Sequence, residues 1–538
     1  MSENSIHIFK PRQEIQEKFS IPAIKQNEYL CDGELKTWNG EVSKVYSPIC
    51  FPDKDNFKEE PIGYYPLLRE KEILEILNSS VNAYSNGNGI WPTMSVEERI
   101  RCTKNFSEKM KLQKKEVVNL LMWEIGKNLS DSEKEFDRTV EYINDTIESL
   151  KELDRASSKF VHEQGIFAQI RRSPFGVVLC MGPYNYPLNE TFATLIPALI
   201  MGNTVILKPA KYGILLLRPL LEAFRDSFPK GVINTIYGDG KLIVPPLMLS
   251  GKIDVLAFIG SATVANSIEK LHPKPNRLKT VFGLGAKNPA IILEDADIDL
   301  TVKECVSGTL AFNGQRCTAL KILFVHKKIA DEFLKKFVDA VNSLKLGLPW
   351  DEGAMITPLP EINKCESMDG YVKDATEKGA KILNKNGGDF LKTIFRPAVL
   401  FPVTEDMTIY HKEQFGPVVP IVPFDDISIP IRYIEESNVG QQASVFGKDY
   451  EVISKLIDPL VNQVSRVNIN SQCQRGPDSF PFTGRKDSAD GTLSVSDALR
   501  VFSIRTLVAA KDSDLNKEIF SKIIKSRKSK FLSTDFIF

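Results

Sequence analysis

Two successive alternations of apolar strands with helical patterns predict an α/β chain of two domains. The first runs over residues 172–325, where segments rich in Val, Ile and Leu are separated by helix-period stretches, as in a parallel sheet flanked by helices. The second starts at Ile322-Leu323-Phe324-Val325, continues through a helical pattern from Ala330 to Leu344, and reaches Ile434. Length agrees: 538 residues, 42% hydrophobic and 26% charged, suffice for two or three globular domains.

The elements follow in chain order. Phe136, Val140, Ile143 and Ile147 form a helical apolar stripe that sets Arg138 away from the core. From Lys159 to Arg172, Phe167, Gln169 and Arg171 alternate with Ile166, Ala168 and Ile170, an amphipathic hairpin with Gly165 in its turn. Gly176–Cys180 is a strand, followed by the loop Pro183-Tyr184-Asn185-Tyr186-Pro187, a helix after Pro187, and the strand Thr204–Leu207. Two prolines stiffen that loop and leave the Asn185 amide as a fixed dipole. Lys208-Pro209-Ala210-Lys211 then stands where a parallel sheet presents ligands, at its carboxyl edge. Near the end, Val501–Ala509 supplies a further strand, and Ile519, Phe520, Ile523 and Ile524 recur at helical spacing within a mildly basic tail, a short helix packed on its own protein or a loose end, with a partner-binding segment as the alternative.

Composition narrows the function. With 69 basic and 69 acidic residues the net charge is zero, which argues against nucleic acid as a partner. No apolar run approaches the roughly 18 residues of a membrane span, and Met1–Ser5 lacks the basic-then-apolar start of a secretory leader, so a cytoplasmic protein without membrane contact is expected. Eight scattered cysteines include no two-residue-spaced pair, and the five histidines do not cluster; reduced thiols and no metal site are expected.

One cysteine stands out. In Gly314-Gln315-Arg316-Cys317-Thr318-Ala319 a thiol lies in a small-residue loop directly after a guanidinium. A free thiol titrates near about 8.5, and an adjacent cation favours the nucleophilic thiolate.

Taken with distant motifs, this loop resembles the aldehyde dehydrogenase superfamily over roughly residues 25–510, most closely its non-phosphorylating, NADP-dependent glyceraldehyde-3-phosphate branch. The resemblance implies an aldehyde dehydrogenase-like α/β fold: two Rossmann-type domains plus a small β oligomerisation domain. Residues 1–157 and 174–285 would bind the cofactor, 286–485 would carry catalysis, 158–173 and 495–510 would be oligomerisation strands, and 511–538 a C-terminal tail. A homo-oligomer, dimer or tetramer, follows.

By the same resemblance Cys317 is the nucleophile, and Asn185 with the Cys317 backbone N–H stabilises the oxyanion formed on attack. Lys208 and Lys211 favour NADP, with NAD open. Gly260 and Ser261 of Phe258-Ile259-Gly260-Ser261 meet the pyrophosphate at a helix start, and Glu413 and Phe415 of Glu413-Gln414-Phe415-Gly416-Pro417 hold the nicotinamide end. Arg138, Tyr186, Arg316 and Arg475, the last in Gln474-Arg475-Gly476-Pro477-Asp478, match positions that grip a phosphorylated aldehyde. Guanidinium suits a phosphate because its planar donors bind in pairs. The implied reaction is NADP-dependent oxidation of glyceraldehyde 3-phosphate to 3-phosphoglycerate through a thiohemiacetal and a thioester.

The chain departs from the family where the thioester must be released. Hydrolytic members carry an acid in Glu-Leu-Gly-Gly-Lys; here the run is Val281-Phe282-Gly283-Leu284-Gly285-Ala286-Lys287, with Gly283 in the acid's place. Three readings stay open: another carboxylate or a shifted register around Gly285, transfer to coenzyme A as in the methylmalonate-semialdehyde branch, or a catalytically silent structural or binding protein.

Overall fold

Val177–Met181 is apolar and buried at every position, the composition of a strand whose two faces are both covered. It lies near the middle of a six-stranded sheet in the order Ile233–Thr235, Thr204–Lys208, Val177–Met181, Val255–Ile259, Lys279–Gly283 and Ala489–Asp490. The first five strands are parallel; the last, short one returns antiparallel to Lys279–Gly283. A second sheet of seven strands runs Lys381–Ile382, Ala398–Phe401, Val418–Phe424, Ile322–His326, Pro289–Ile292, Gln442–Phe446 and Arg466–Ile469. This computed structural model describes residues 8–54 and 56–537. The start read for a leader, Met1–Ser5, lies outside the described residues. Among the described residues no helix is long and apolar enough to cross a membrane.

The amphipathic hairpin is present as Phe160–Glu163 and Ile166–Pro174, joined by Ser503–Lys511 into a three-stranded sheet. Residues Val495–Val501, expected among the oligomerisation strands, form a helix, and the strand begins at Ser503. Val495, Ala498 and Leu499 are spaced to bury one helical face, which is why they do not extend. The polar face of the hairpin turns inward: Gln169 and Arg171 are buried, with Arg171 paired to Asp154 at 2.7 Å. Both also donate to the Ser533 carbonyl of the tail, at 2.6 and 2.8 Å. The tail helix, Asp514–Ser526, packs Phe520 edge-on against Phe160 and Phe167. Ile166, Val161, Ile504 and Leu507 are left exposed.

The helices nearest the crevice are fixed by a buried ion pair. Leu129–Ser157 starts at Asn128, whose side chain accepts the Asp131 N–H at 2.8 Å, and buries Phe136, Ile143 and Ile147. Its Glu135 meets Lys127, both fully buried. The other oxygen of Glu135 accepts the N–H groups of Leu188 (3.0 Å) and Asn189 (3.2 Å), donors that the helix Asn189–Ile200 cannot satisfy internally. Lys127 Nζ donates to the Asn185 carbonyl at 2.8 Å and lies over the Tyr186 ring. Lys127→Met should therefore strand a buried carboxylate and destabilise the chain by about 3–5 kcal/mol, measured by urea unfolding, whereas Lys127→Met with Glu135→Leu should recover part of the loss.

Candidate active site

The strand order places a crevice. The chain leaves Val177–Met181 toward Thr204–Lys208 on one side, while Val255–Ile259 pairs on the other, so a cleft opens at their carboxyl ends. A cavity of about 610 Å³ lies there, bounded by Asn185, Lys208, Gly260, Gly283, Cys317 and Glu413 among others.

The cysteine loop is held by backbone geometry. Phe312, Asn313 and Gly314 take φ values of 49°, 56° and 71° in succession. Asn313 fixes its own strained turn through bonds with Thr357, at 3.0 and 3.1 Å. At Gly314 a Cβ would come within 2.7 Å of the Thr309 carbonyl and 2.9 Å of the Gly416 carbonyl, so only glycine fits. Asn288 donates to the Cys317 and Ala319 carbonyls at 2.8 and 3.0 Å, and Cys317 reaches the cavity half-buried. Asn185 Nδ2 donates to the Gln315 carbonyl at 2.8 Å, which places the amide against the same loop.

The expected activation of the thiol by its neighbour is corrected by the structure. Burial pushes the Cys317 thiol up to about 11; the Glu190 carboxylate adds to this, Arg475 and a hydrogen bond with Gln441 oppose it, and Glu413 raises it again. Arg316 is not among the main charges acting on it; its guanidinium donates elsewhere, to the Ser307 (3.1 Å) and Gly308 (3.0 Å) carbonyls and to Gln472 (3.3 Å). It closes the last turn of the helix Ile298–Leu310.

The other arginines form one network. Arg138 makes a two-pronged contact with Asp478, at 2.8 and 3.0 Å, and Arg475 Nε reaches the same carboxylate at 3.1 Å. Burial pushes Asp478 up, but Arg138 and Arg475 outweigh it and hold the carboxyl below its ordinary range. Arg475 also pairs with Glu190 and donates to the Leu493 carbonyl at 3.3 Å. Burial raises the Tyr186 phenol well above its usual range, with Arg316 and Arg138 pulling it back, which puts all three in one electrostatic neighbourhood. Two guanidinium groups, Arg138 and Arg475, are thus matched by two carboxylates, Asp478 and Glu190. Arg316 makes no ion pair among the described residues.

The opposite wall suits an anionic dinucleotide. Lys208 ends its strand buried, pushed down to about 8 by burial against the pull of Asp239, and Lys211 is exposed three residues on. Ser261 caps the helix Ala262–Glu269 beside Gly260. Glu413 accepts the Ala286 N–H at 3.2 Å and faces Lys321 at 3.5 Å, while its Oε1 is buried with no hydrogen-bond partner, an acceptor that a ribose hydroxyl would fill. Phe415, at φ 43°, packs edge-on against Tyr184.

Gly283 ends the strand Lys279–Gly283 and accepts the Gly260 N–H at 2.9 Å. A Cβ there would meet only Ile259, at 3.4 Å, which is ordinary contact. Neither backbone nor space demands glycine. Residues that the sequence reading left unassigned also bound the cavity: Tyr184 donates to Glu361 at 2.6 Å, and Glu361 pairs with Lys364 at 2.7 Å. Glu190 carried a legible signal, being the one acid in Asn189–Ile200, a helix buried at all twelve positions.

The model of the aldehyde dehydrogenase family matches residues 47–507, and the chain belongs to that family. An NADP-dependent glyceraldehyde-3-phosphate dehydrogenase of Streptococcus equinus is 34% identical over 91% of this chain and 98% of its own length. One from Arabidopsis thaliana is 30% identical over 89% and 95%. Among solved structures, the NADP-dependent glyceraldehyde-3-phosphate dehydrogenase of Bacillus halodurans C-125 complexed with NADP superposes with a TM-score of 0.83 at 30% identity, covering 91% of this chain and all of that one.

A thiol pushed up to about 11 is protonated at neutral pH, and its reactive thiolate fraction grows as pH rises. Alkylation of Cys317 by iodoacetamide, followed by peptide mass spectrometry, should accelerate about tenfold per pH unit from about pH 7 to about pH 10. A plateau below about pH 8.5 would show an activated thiolate instead.

Proposed function

We propose that this aldehyde dehydrogenase oxidises glyceraldehyde 3-phosphate to 3-phosphoglycerate with NADP, using Cys317 as nucleophile. The observation that carries the reading is the network of Arg138 and Arg475 on Asp478, tied to the wall of the Cys317 cavity through the Arg475–Glu190 pair, with Arg316 and Arg138 both acting on Tyr186, in a chain whose relatives are named for that substrate. A phosphate bearing nearly two charges competes with Asp478 and Glu190 for guanidinium donors already in place, so recognition is an exchange of anions in a prebuilt frame.

The chain's own residues divide the work. Lys208 and Lys211 would attract the 2′-phosphate, Ser261 would offer its N–H at the start of the helix Ala262–Glu269 beside Gly260, whose own N–H is spent on the Gly283 carbonyl, and Glu413 would accept from the ribose. NADP held by these residues would supply the hydride acceptor for the substrate carbon. Cys317 adds to the aldehyde, and Asn185 turns its amide from the Gln315 carbonyl to the developing oxyanion. Gly283 stands where hydrolytic relatives carry their acid, and the space beside it accommodates a side chain. That absence favours one second reading, thioester transfer to coenzyme A, because a thiol acceptor needs less help from a base than water does.

The two mostly parallel sheets support division into a cofactor-binding unit, 1–157 and 174–285, and a catalytic unit, 286–485. The exposed apolar face at Ile166, Ile504 and Leu507 supports pairing of the three-stranded sheet with another copy, in a cytoplasmic homo-oligomer whose tail, 511–538, packs on its own chain.

NADPH should accumulate over many turnovers when the protein meets glyceraldehyde 3-phosphate and NADP without coenzyme A. A burst that resumes only on adding coenzyme A would assign the acylating reaction. Arg138→Ala should raise KM about tenfold or more for the phosphorylated aldehyde and hardly at all for unphosphorylated glyceraldehyde, because a charged contact is worth about 1.5–3 kcal/mol; equal effects would remove the phosphate role.

A further inference from the structure

Release of a thioester by water needs a base, and Gly283 supplies none. The carboxylates on the cavity wall are Glu190, Glu361, Glu413 and Asp487. Glu361 is engaged by Tyr184 and Lys364. Glu413 is held by the Ala286 N–H and Lys321 on the cofactor side, where its Oε1, without a hydrogen bond, is the acceptor assigned to the ribose. Asp487 is exposed, in the turn between Arg485–Lys486 and Ala489–Asp490. Glu190 differs from all three. It is buried, 7% exposed, and lies five residues after Asn185 on the wall that faces Cys317. One of its oxygens pairs with Arg475, and the other accepts no hydrogen bond among the described residues. It is also the charge acting most strongly on the Cys317 thiol.

We propose that Glu190, paired with Arg475 and bounding the same cavity as Cys317, is the general base that hydrolyses the thioester in this chain, in place of the acid absent at Gly283. The inference rests on the reading of Cys317 as the nucleophile. Oε1 of Glu190 takes a proton from water as the water oxygen bonds to the thioester carbonyl carbon. The carbon–sulfur bond then breaks with its electron pair on Cys317, the acid leaves, and the proton on Glu190 passes to the thiolate, restoring the resting thiol. A carboxylate buried in an otherwise apolar helix is costly without its cation. Arg475 supplies that cation while sharing its charge with Asp478.

The test uses 4-nitrophenyl acetate, which acylates a reactive thiol without NADP or a phosphorylated aldehyde, so its outcome is independent of which aldehyde the protein oxidises. The full-length protein should release a burst of nitrophenolate and then turn over. Glu190→Gln should keep the burst and lower the steady rate by about 10²- to 10⁴-fold, with loss of the acid limb of its pH profile. Glu190→Asp should retain much of the rate, and Gly283→Glu added to Glu190→Gln should restore it. Should Glu190→Gln fail to fold, Glu190→Gln with Arg475→Gln removes both charges and carries the same comparison. A native protein that stops after the burst, a Glu190→Gln steady rate within twofold of native, or equal loss of burst and steady rate would each overturn the assignment, the last by reducing Glu190 to a positioning residue for Arg475.

Discussion

The site depends on one buried contact, Lys127 with Glu135. Two charges removed from water cost several kcal/mol each unless every remaining donor and acceptor is used. Here they are. Glu135 covers the first N–H groups of Asn189–Ile200, and Lys127 holds the Asn185 carbonyl and the faces of Tyr186 and Phe312. The loop that presents Asn185, the helix that presents Glu190 and the helix that presents Arg138 are therefore indexed to one another by a single pair. A shift in any of them would leave a buried charge short of partners.

Charge balance is the second theme. Cys317 sits near the carboxylates of Glu190 and Glu413, and burial keeps its thiol protonated. Arg475 counters this only in part, and the nearby guanidinium groups are engaged: Arg316 by carbonyls, Arg475 and Arg138 by Asp478 and Glu190. Cys317 therefore rests as a thiol near arginines that are paired internally.

Much of the fold was legible in the chain. Strands such as Val177–Met181 and Ile322–His326 announce themselves because burial on both faces demands unbroken apolar residues. The hairpin with Gly165 and the tail helix with Phe520 were legible for the same reason, periodicity. Less visible was which face of the hairpin turns inward. Alternation identifies two faces but not their destinations, and it is the polar one, Gln169 and Arg171, that is covered by the tail through Ser533. The helix at Val495–Val501 was missed because a short segment of seven residues with three buried side chains offers little period to read.

By itself the sequence determined the α/β architecture, the small-residue loop that carries Cys317, and a glycine at position 283. These are properties of local residue type: apolar runs, small side chains around a thiol, a residue with no side chain to offer. The tertiary structure alone decided what each charge does. Arg316 precedes Cys317 in the chain yet bonds to helix carbonyls, while Arg475 and Glu190, far apart in sequence, meet as an ion pair beside the thiol. Side-chain electrostatics act through space over a few ångströms, and only folding sets those distances.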